Sequence, residues 1–293
     1  MIDTHVHITP ASASAIHHGI TLNEYTAVAK TAGISKAYAF LNPFISGFLC
    51  PHSPNHKVGI TLGQRNNECV IKCIDCGCTI YRGVDLFYSN NITLANECSK
   101  SSLPIQPIAF LATPYIQLNA RILEYEKTGL FAGYKLHPTI CRQSPTDIPQ
   151  LSCNRPIIIH SGVGCYENPE YAIQFARSYA GPVIIAHCAR FNKIVLNLAR
   201  EMDNVWIDTS PFTFLWNLYK TKPHRLYLEE SQQFSTPKEL FYNMLEIVGE
   251  DKVVFASDAP FGNLTKETEF IKSLALTPTQ YRKITYQNAI NIF

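Results

Sequence analysis

The sequence predicts a (β/α)8 barrel, an α/β fold in which eight parallel strands alternate with helices around a closed core. Eight short apolar runs alternate with helical segments along the 293 residues. The runs are almost continuously apolar, which is typical of parallel strands buried on both faces. No glycine-rich dinucleotide turn follows the first run, where a doubly wound open sheet would use one. We therefore expect one barrel domain over residues 1–293.

The eight predicted strands are the apolar runs of this alternation. They occupy residues 2–8, 36–41, 105–111, 132–137, 155–160, 182–187, 205–209 and 253–258. Their short length and their enrichment in Ile and Val favour strands over buried helices. Between the second and third strands, a less regular stretch from 43 to 90 predicts an insertion or lid.

The predicted helices begin at capping residues and several end at glycine. Thr21 and Glu24 have the spacing of a capping box, and Asn168 and Thr236 each precede a proline, as at many helix starts. The predicted helices occupy about 21–33, 93–101, 115–128, 168–181, 236–249, 265–275 and 278–291.

Composition and charge limit the class of protein. Hydrophobic residues make up 46% of the chain, which excludes a disordered chain, and the net charge of +2 gives no electrostatic reason to expect nucleic acid or an anionic membrane as a partner. We expect a small-molecule substrate. The charged fraction of 16% is low, which is compatible with a homo-oligomer.

Location and cysteine state are predicted together. No apolar run approaches the roughly 18 residues of a membrane helix, and the N-terminal residues do not have the pattern of a signal peptide. A cytoplasmic location is expected, and there the 10 cysteines are thiols or metal ligands more often than disulfides.

Polar, metal-capable side chains stand at the C-terminal ends of the predicted strands, and these ends converge in a barrel. His5 and His7 point to one strand face, so both imidazoles can reach one cation, and His160 and Asp258 complete a set of nitrogen and oxygen ligands. Such a set suits zinc, and manganese, iron and cobalt are also compatible. The full series is His5, His7, Lys135, His137, His160, His187 and Asp258.

With this series in place, the sequence resembles the amidohydrolase superfamily, in particular its amidohydrolase-related branch, amidohydrolase 2, of metal-dependent TIM-barrel hydrolases. The resemblance covers nearly the whole chain. Its matching segments are Ile2–His7, Gly133–Pro138, Ile157–His160, Val183–His187, Phe255–Gly262 and Asn288-Ala289.

The resemblance implies that His5, His7 and Asp258 hold a divalent metal, in one of two arrangements. In a mononuclear site His160 completes the ligands and His187 acts beside the metal. In a binuclear site His160 and His187 bind a second ion, and Lys135 bridges if its amine is carboxylated, since an ammonium cannot ligate. A cationic Lys135 would instead pair with a substrate carboxylate, and His137, on the same strand face, is expected to line the substrate pocket.

The chemistry implied by the resemblance is hydrolysis of an amide, ester or lactone. Water on the metal would be activated, with Asp258 as the proton shuttle and His187 or the metal stabilising the oxyanion. The alternative is a metal-dependent decarboxylase of a substituted aromatic or muconate-type acid, and a third possibility is an inactive binding scaffold. No residue in the sequence fixes the bond that is broken.

The stretch from 43 to 90 departs from the family pattern because it holds five cysteines and two histidines. Cys73 and Cys76 have the spacing of a zinc knuckle, and with Cys69 that of an iron–sulfur ligand run. The default interpretation is reduced thiols that pack as small apolar groups, partly in a lid. The residues concerned are Cys50, His52, His56, Cys69, Cys73, Cys76 and Cys78.

Further polar and aromatic residues follow the strands. Asp208, Thr209 and Ser210 end the seventh strand and can contact substrate, although such a run is more often a turn or helix cap. A set of aromatic residues in predicted loops is a candidate apolar wall for a flat substrate, with ordinary packing as the alternative; these are Tyr166, Phe212, Phe214 and Trp216.

Overall fold

Eight parallel strands form a barrel, as the sequence predicts. The structure is a computed structural model that describes residues 1–11, 14–15, 19–43, 45–46, 50–53, 55–56, 58–63, 68–83, 87–113, 115–229 and 232–293. The order of strands in the sheet follows their order in the chain. The strands are β1 (Ile2–Ile8), β2 (Lys36–Leu41), β3 (Ile105–Leu111), β4 (Gly133–Leu136), β5 (Ile157–Ile159), β6 (Val183–Ile185), β7 (Val205–Asp208) and β8 (Val253–Val254).

Backbone hydrogen bonds beyond the end of β8 close the barrel. The segment after Val254 runs beside β1, where Asp258 N–H donates to His5 O at 2.9 Å and His7 N–H donates to Ala259 O at 2.8 Å. A parallel bridge joins Val6 to Ala259 at the same place. The closing contact therefore sets Asp258 beside the two histidines of β1.

Helices cover the outside of the barrel, and the predicted caps form. Thr21 and Glu24 make a capping box, and the side chains of Asn168 and Thr236 accept hydrogen bonds from the first turns of their helices. The helices are Leu22–Ala32, Tyr88–Cys98, Leu118–Thr128, Pro138–Cys141, Pro169–Ser178, Lys193–Glu201, Phe212–Thr221, Pro237–Val248, Leu264–Ser273, Pro278–Arg282 and Asn288–Ile292, with a π-helical segment at Lys283–Gln287.

The aromatic residues expected in a loop after β7 belong to a helix, so that prediction is wrong. Phe212–Thr221 is helical because its apolar residues recur at helical spacing. Phe212 is fully buried and packs against Phe241 and Phe270 in the core. Ordinary packing therefore explains Phe212.

An insertion follows β2. It contains a three-stranded antiparallel sheet formed by Val58–Gly63, Glu68–Cys73 and Thr79–Gly83. Its first short strand, Ile45–Ser46, pairs with Ser14–Ala15, which follows β1. Val58–Gly63 lies against Pro138–Cys141, the helix that follows β4. The boundaries 43–90 for an insertion or lid within a single domain stay a prediction. Among the described residues, no helix is both long and apolar enough to cross a bilayer.

Candidate metal and active site

Two imidazoles and one carboxylate meet at the closing edge of the barrel. His5 and His7 project from β1 on one face, and Asp258 is brought beside them by the closing hydrogen bonds. Nε2 of His5 lies 3.1 Å from Oδ1 of Asp258, and Nε2 of His7 lies 3.2 Å from the same oxygen. We call these three residues the barrel cluster.

Neighbouring acceptors orient both imidazoles. Nδ1–H of His5 donates to Oδ2 of Asp208 at 2.7 Å, and Nδ1–H of His7 donates to the carbonyl of Leu41 at 3.2 Å. Because a carboxylate and a carbonyl can only accept, Nδ1 carries the proton in each ring. In the neutral rings both Nε2 lone pairs therefore face Asp258, as in histidines that bind metal.

The barrel cluster has the donor set of a divalent cation site. Within the described part of the chain, no hydrogen-bond donor is directed at Oδ1 of Asp258, which is buried. Two ring lone pairs and a carboxylate oxygen facing one another repel unless a cation lies between them. The residues therefore fit a divalent ion with nitrogen and oxygen preference.

Left-handed backbone conformations position the polar groups at two strand ends. Asp258 has φ of 56°, and the five residues from His187 to Phe191 all have positive φ. Non-glycine residues adopt this region at a cost and often at functional sites. The turn after β6 directs N–H of His187 to Oδ1 of Asp208 at 2.8 Å, so Asp208 supports both His187 and His5.

A second group of polar side chains contains His160, which the mononuclear prediction places with the barrel cluster. Nδ1 of His160 lies 2.9 Å from Nε2 of His187, and its Nε2 lies 3.3 Å from Oε2 of Glu167. His137 stacks on His160 with ring centroids 3.8 Å apart. His137, His160 and Glu167 form their own set of potential ligands.

The hydrogen-bond direction in this second group is set by His187. Its Nδ1–H donates to the carbonyl of Ser210 at 2.9 Å, so Nε2 of the neutral ring accepts from Nδ1–H of His160. Nε2 of His160 then faces Glu167. Glu167, His160 and His187 therefore lie in one row, with a hydrogen bond between the two rings and a close approach of the carboxylate to His160.

The loop after β5 encloses the Glu167 carboxylate. Gly164 N–H donates to Oε1 of Glu167 at 3.2 Å. A β-carbon at Gly162 would overlap the Glu167 side chain. The absence of side chains at these glycines therefore lets the carboxylate approach the backbone and reach His160.

Lys135 is fully buried beneath the cavity. Its Nζ lies 3.4 Å from Nε2 of His5 and 5.1 Å from the centre of the Phe40 ring. Burial lowers the pKa of Lys135 to about 8, although Asp208 and Asp258 favour the charged form. Its role as a carboxylated ligand or as a cation stays a prediction.

The pKa of His5 is raised, whereas the pKa values of the other histidines of the site are lowered. Burial opposes protonation of His5 and Lys135 repels it, but the carboxylates of Asp208 and Asp258 outweigh both and raise the pKa of His5. Burial lowers the pKa of His7 to about 4. It also holds the pKa values of the other three rings well below their usual range; these are His137, His160 and His187.

Asp258 and Asp208 are held in the charged form. Burial opposes ionisation of Asp258, but His5 and His7 reverse that effect and hold its pKa well below the usual range. Asp208 behaves in the same way, and its pKa is lowered because His5 outweighs burial.

A cavity of about 150 Å³ opens between the two groups. Residues from six barrel strand ends and their loops contribute to its walls, with Phe261 edge-on to His7. The lining residues are His7, Pro43, His137, His160, His187, Asp258 and Phe261. None of Tyr166, Phe212, Phe214 and Trp216 lines this cavity.

Most of the predicted residues converge, but they form two sets. His7, His137, His160, His187 and Asp258 share the cavity, and His5 and Lys135 lie buried beside it. The structure does not group His160 with the barrel cluster, because His160 is hydrogen-bonded to His187 and faces Glu167. The roles assigned to these residues remain predictions.

Asp208 was expected to contact substrate or to form a turn, and Glu167 was not expected at the site. Like Asp258, Asp208 stands at the C-terminal end of a barrel strand, so its position at the end of β7 is a signal for the site. The interpretation as a turn residue hid this signal. Glu167 lies in a loop, and its only sequence signal is the pair Gly162 and Gly164 just before it.

The family resemblance is confirmed by a family model. The model described as Amidohydrolase matches residues 152–293, the segment that carries His160, His187 and Asp258. No curated protein matches the chain in sequence.

Solved structures share the fold over the whole chain. The 2,6-dihydroxybenzoate decarboxylase from Rhizobium is 11% identical with a TM-score of 0.59, over 99% of this chain and 97% of that one. An uncharacterised TIM-barrel protein from Bordetella bronchiseptica is 14% identical with a TM-score of 0.64, over 100% and 98%. A dihydroxybenzoic acid decarboxylase from Polaromonas sp. JS666, solved with bound manganese and the inhibitor 2-nitroresorcinol, is 12% identical with a TM-score of 0.59, over 99% and 96%. At these identities the likeness shows the fold.

Proposed function

We propose that this chain, whose residues 152–293 match the Amidohydrolase family model, is a metal-dependent decarboxylase of a small aromatic carboxylic acid. The observation that carries the proposal is the row of polar side chains Glu167, His160 and His187, in which His160 donates to His187 and which reaches the same cavity as Asp258. Decarboxylation replaces a carboxylate by a proton. The site must therefore hold an anion and deliver one proton per turnover.

The barrel cluster supplies the anion site in this proposal. His5, His7 and Asp258 would hold a divalent cation, which when bound would attract the substrate carboxylate and withdraw electrons as carbon dioxide leaves. Asp208 keeps His5 in the tautomer that this needs. Both manganese and zinc suit these ligands, and the manganese in the Polaromonas structure makes that ion the first to test.

The cavity favours a small and flat substrate. Its volume of about 150 Å³ is below the range of roughly 300–1,000 Å³ found for drug-sized ligands. The Phe261 ring and the stacked rings of His137 and His160 offer flat surfaces to an aromatic ring. The Rhizobium and Polaromonas decarboxylases act on acids of this kind, which supports the same substrate class here.

The proton would reach the substrate through neutral imidazoles. Glu167 is partly exposed and can transfer a proton to Nε2 of His160, whose Nδ1–H points to His187. His160 gives up its Nδ1 proton to Nε2 of His187 as it receives one at its own Nε2. His187 then releases that Nε2 proton to the substrate, because its Nδ1–H stays bonded to the carbonyl of Ser210, so His187 is charged only transiently. The carbanion left by departure of carbon dioxide takes this proton at the carbon that carried the carboxylate.

Hydrolysis of an amide, ester or lactone is the second candidate. It is favoured by the Amidohydrolase description of the matching family model. In that reaction Asp258 would move the proton from the attacking water to the leaving group, and His187 would stabilise the oxyanion. The same residues are used, but no carbon dioxide is formed.

Isotope labelling separates the two reactions. The protein loaded with manganese, and in parallel with zinc, is incubated in D2O with 2,6-dihydroxybenzoate and related hydroxybenzoates labelled at the carboxyl carbon. We expect labelled carbon dioxide and a phenol with one deuterium at the former carboxyl position. Cleavage of members of a lactone, amide and ester panel, with no labelled carbon dioxide from any acid, would contradict the proposal.

Glu167→Gln tests the proton path. We expect kcat to fall by about 10²-fold with unchanged metal content, because the residue serves the proton and not the ion. Glu124→Gln, an exposed carboxylate on an outer helix, is the matched control and should retain full activity. An equal loss of kcat in both variants would contradict a proton path through Glu167.

A further inference from the structure

We propose that the insertion after β2 holds a second metal centre of the zinc type, which shares no residue with the barrel cluster. Six ligating side chains converge there from two pieces of chain. One piece is the stretch from 50 to 56, and the other is the turn between the strands Glu68–Cys73 and Thr79–Gly83. We call the six the insertion cluster: Cys50, His52, His56, Cys73, Cys76 and Cys78.

Three sulfur atoms form a nearly regular triangle. Sγ of Cys50 lies 3.5 Å from Sγ of Cys76 and 3.7 Å from Sγ of Cys78, and the latter two are 3.5 Å apart. A disulfide would require about 2.05 Å. Thiolates at zinc, with bonds of about 2.3 Å in a tetrahedron, lie about 3.8 Å apart, so the observed triangle is close to one face of such a site.

Two imidazoles complete the coordination. Nδ1 of His52 lies 3.3 Å from Sγ of Cys76, while Nδ1 of His56 lies 3.3 Å from Sγ of Cys50 and 3.6 Å from Sγ of Cys73. A nitrogen and a sulfur on one tetrahedral zinc lie about 3.6 Å apart. The contacts of both histidines agree with this spacing.

The six ligands form two overlapping sets of four. One set joins Cys50 and Cys76 with His56 and Cys73, and within it all ligand atoms lie within 4.8 Å of one another. The other set joins the same two cysteines with His52 and Cys78. Two tetrahedral ions fit this arrangement if the thiolates of Cys50 and Cys76 bridge them. Each ion then has four protein ligands, which is the closed coordination of a structural site.

The turn that carries three of the cysteines is shaped for this convergence. Cys76 N–H donates to Sγ of Cys73 at 3.3 Å, and Gly77 N–H donates to the carbonyl of Cys73 at 3.0 Å. Gly77 has φ of +73°, which a residue with a side chain adopts at a cost. Backbone N–H bonds to a thiolate sulfur also stabilise its charge.

Packing as small apolar side chains does not account for these cysteines. Cys98, Cys141, Cys153 and Cys188 belong to the continuous hydrophobic core, as that interpretation requires. Cys76 is exposed and Cys78 is half-buried. Cys50 and Cys73 are buried, but they do not belong to that core. The side chain of Cys69 lies outside the described residues, and so does the iron–sulfur run that includes it.

The metal centre would stabilise the small three-stranded sheet of the insertion. Three antiparallel strands of five or six residues form a marginal unit by themselves, so a metal staple would stabilise it. Thiolate and imidazole ligands in tetrahedral sets select zinc among the common divalent ions. Binding releases the thiol protons and couples the ion to folding of the insertion.

Metal content of single-cysteine variants tests the proposal on the full chain. Zinc per chain is measured after purification for Cys76→Ser, Cys78→Ser and Cys165→Ser, where Cys165 is an exposed thiol outside both clusters. Relative to the Cys165→Ser control, we expect Cys76→Ser to lose two ions, because its sulfur belongs to both sets, and Cys78→Ser to lose one. Equal zinc content in all three variants would overturn the proposed metal centre. Equal zinc losses in Cys76→Ser and Cys78→Ser would overturn the proposal that two thiolates are shared by both ions.

Cobalt substitution gives a second measurement on the unmodified protein. The barrel cluster contains no sulfur, so a thiolate-to-cobalt charge-transfer band in the near ultraviolet reports the insertion cluster alone. We expect this band, together with intense tetrahedral cobalt bands in the visible, in the wild-type chain and in Asp258→Asn. A cobalt-loaded wild-type protein with no such band would overturn the proposal even if the cysteine variants fail to fold.

Discussion

The barrel cluster and the insertion cluster gather metal-capable side chains in opposite ways. The barrel cluster uses nitrogen and oxygen ligands on strand ends within the core, and a cavity adjoins it. The insertion cluster uses sulfur and nitrogen ligands on turns outside the core, and its two sets of four leave no position for a substrate. The difference corresponds to that between a reactive site and a structural one.

The supports of the two clusters differ as well. In the barrel, a carboxylate and a carbonyl fix the two histidine rings before any ion is bound. In the insertion, the thiolates are held chiefly by the local turn and by one another. Removing a ligand should therefore impair chemistry in one region and folding in the other.

The largest effect is expected from Asp258→Asn. The substitution removes the only charged ligand of the barrel cluster, so we expect turnover to fall by about 10³-fold or more, while the cobalt–thiolate band of the insertion persists. Asp251→Asn, an exposed carboxylate paired with Lys283, serves as the control. Wild-type turnover in Asp258→Asn would refute the role of the barrel cluster.

Treatment with a chelator should separate the two regions in time. The barrel cluster offers an ion three protein ligands beside a cavity, whereas each set of the insertion cluster would enclose an ion with four. We expect activity to disappear first and to return when manganese or zinc is added. Zinc release and activity are followed together, and simultaneous loss of all ions with unfolding would show that the two centres are not independent.

A smaller effect is expected from Asp208→Asn. An amide in place of the Asp208 carboxylate weakens the hold on Nδ1 of His5, so metal affinity at the barrel cluster should fall about 10–100-fold. Competition with a calibrated chelator measures this change, and kcat at saturating metal should recover in part. Unchanged affinity would show that His5 is oriented without this hydrogen bond.

The smallest effect concerns Glu267, which belongs to neither cluster. Burial raises the pKa of Glu267 to about 7, so the folded state holds its proton more tightly than the unfolded state. The stability that this provides is complete below about pH 4.5 and is lost as the pH rises through about 7. We expect Glu267→Gln to remove this dependence, of the order of 1–3 kcal/mol, in urea unfolding at several pH values. An identical pH profile in the variant would contradict it.

The fold was predictable because periodicity is a local property. The first three strands have the predicted bounds, whereas the later strands end one to four residues before their predicted ends. His137, His160 and His187 all lie just past a strand end for this reason. The helix Phe212–Thr221 was missed because aromatic residues after a strand were assigned to a loop.

The site was predictable as a set of residues but not as a network. Strand alternation places His5 and His7 on one face, and barrel closure adds Asp258. The direction of the His160 ring depends on hydrogen bonds to residues far along the chain, which spacing cannot reveal. For the same reason, sequence spacing does not predict the contact between Cys50 and Cys76, which the fold of the insertion creates.

The closing hydrogen bond between Asp258 and His5 joins the first strand of the barrel to the segment after the last strand. A cation held by these residues would act as a crosslink across a loop of about 250 residues, with the entropic advantage that such long loops gain from closure. Ion binding and the docking of the first strand onto the last would then be a single event. We therefore expect metal to reduce fraying of the first strand, at the N-terminus, more than fraying of any other strand.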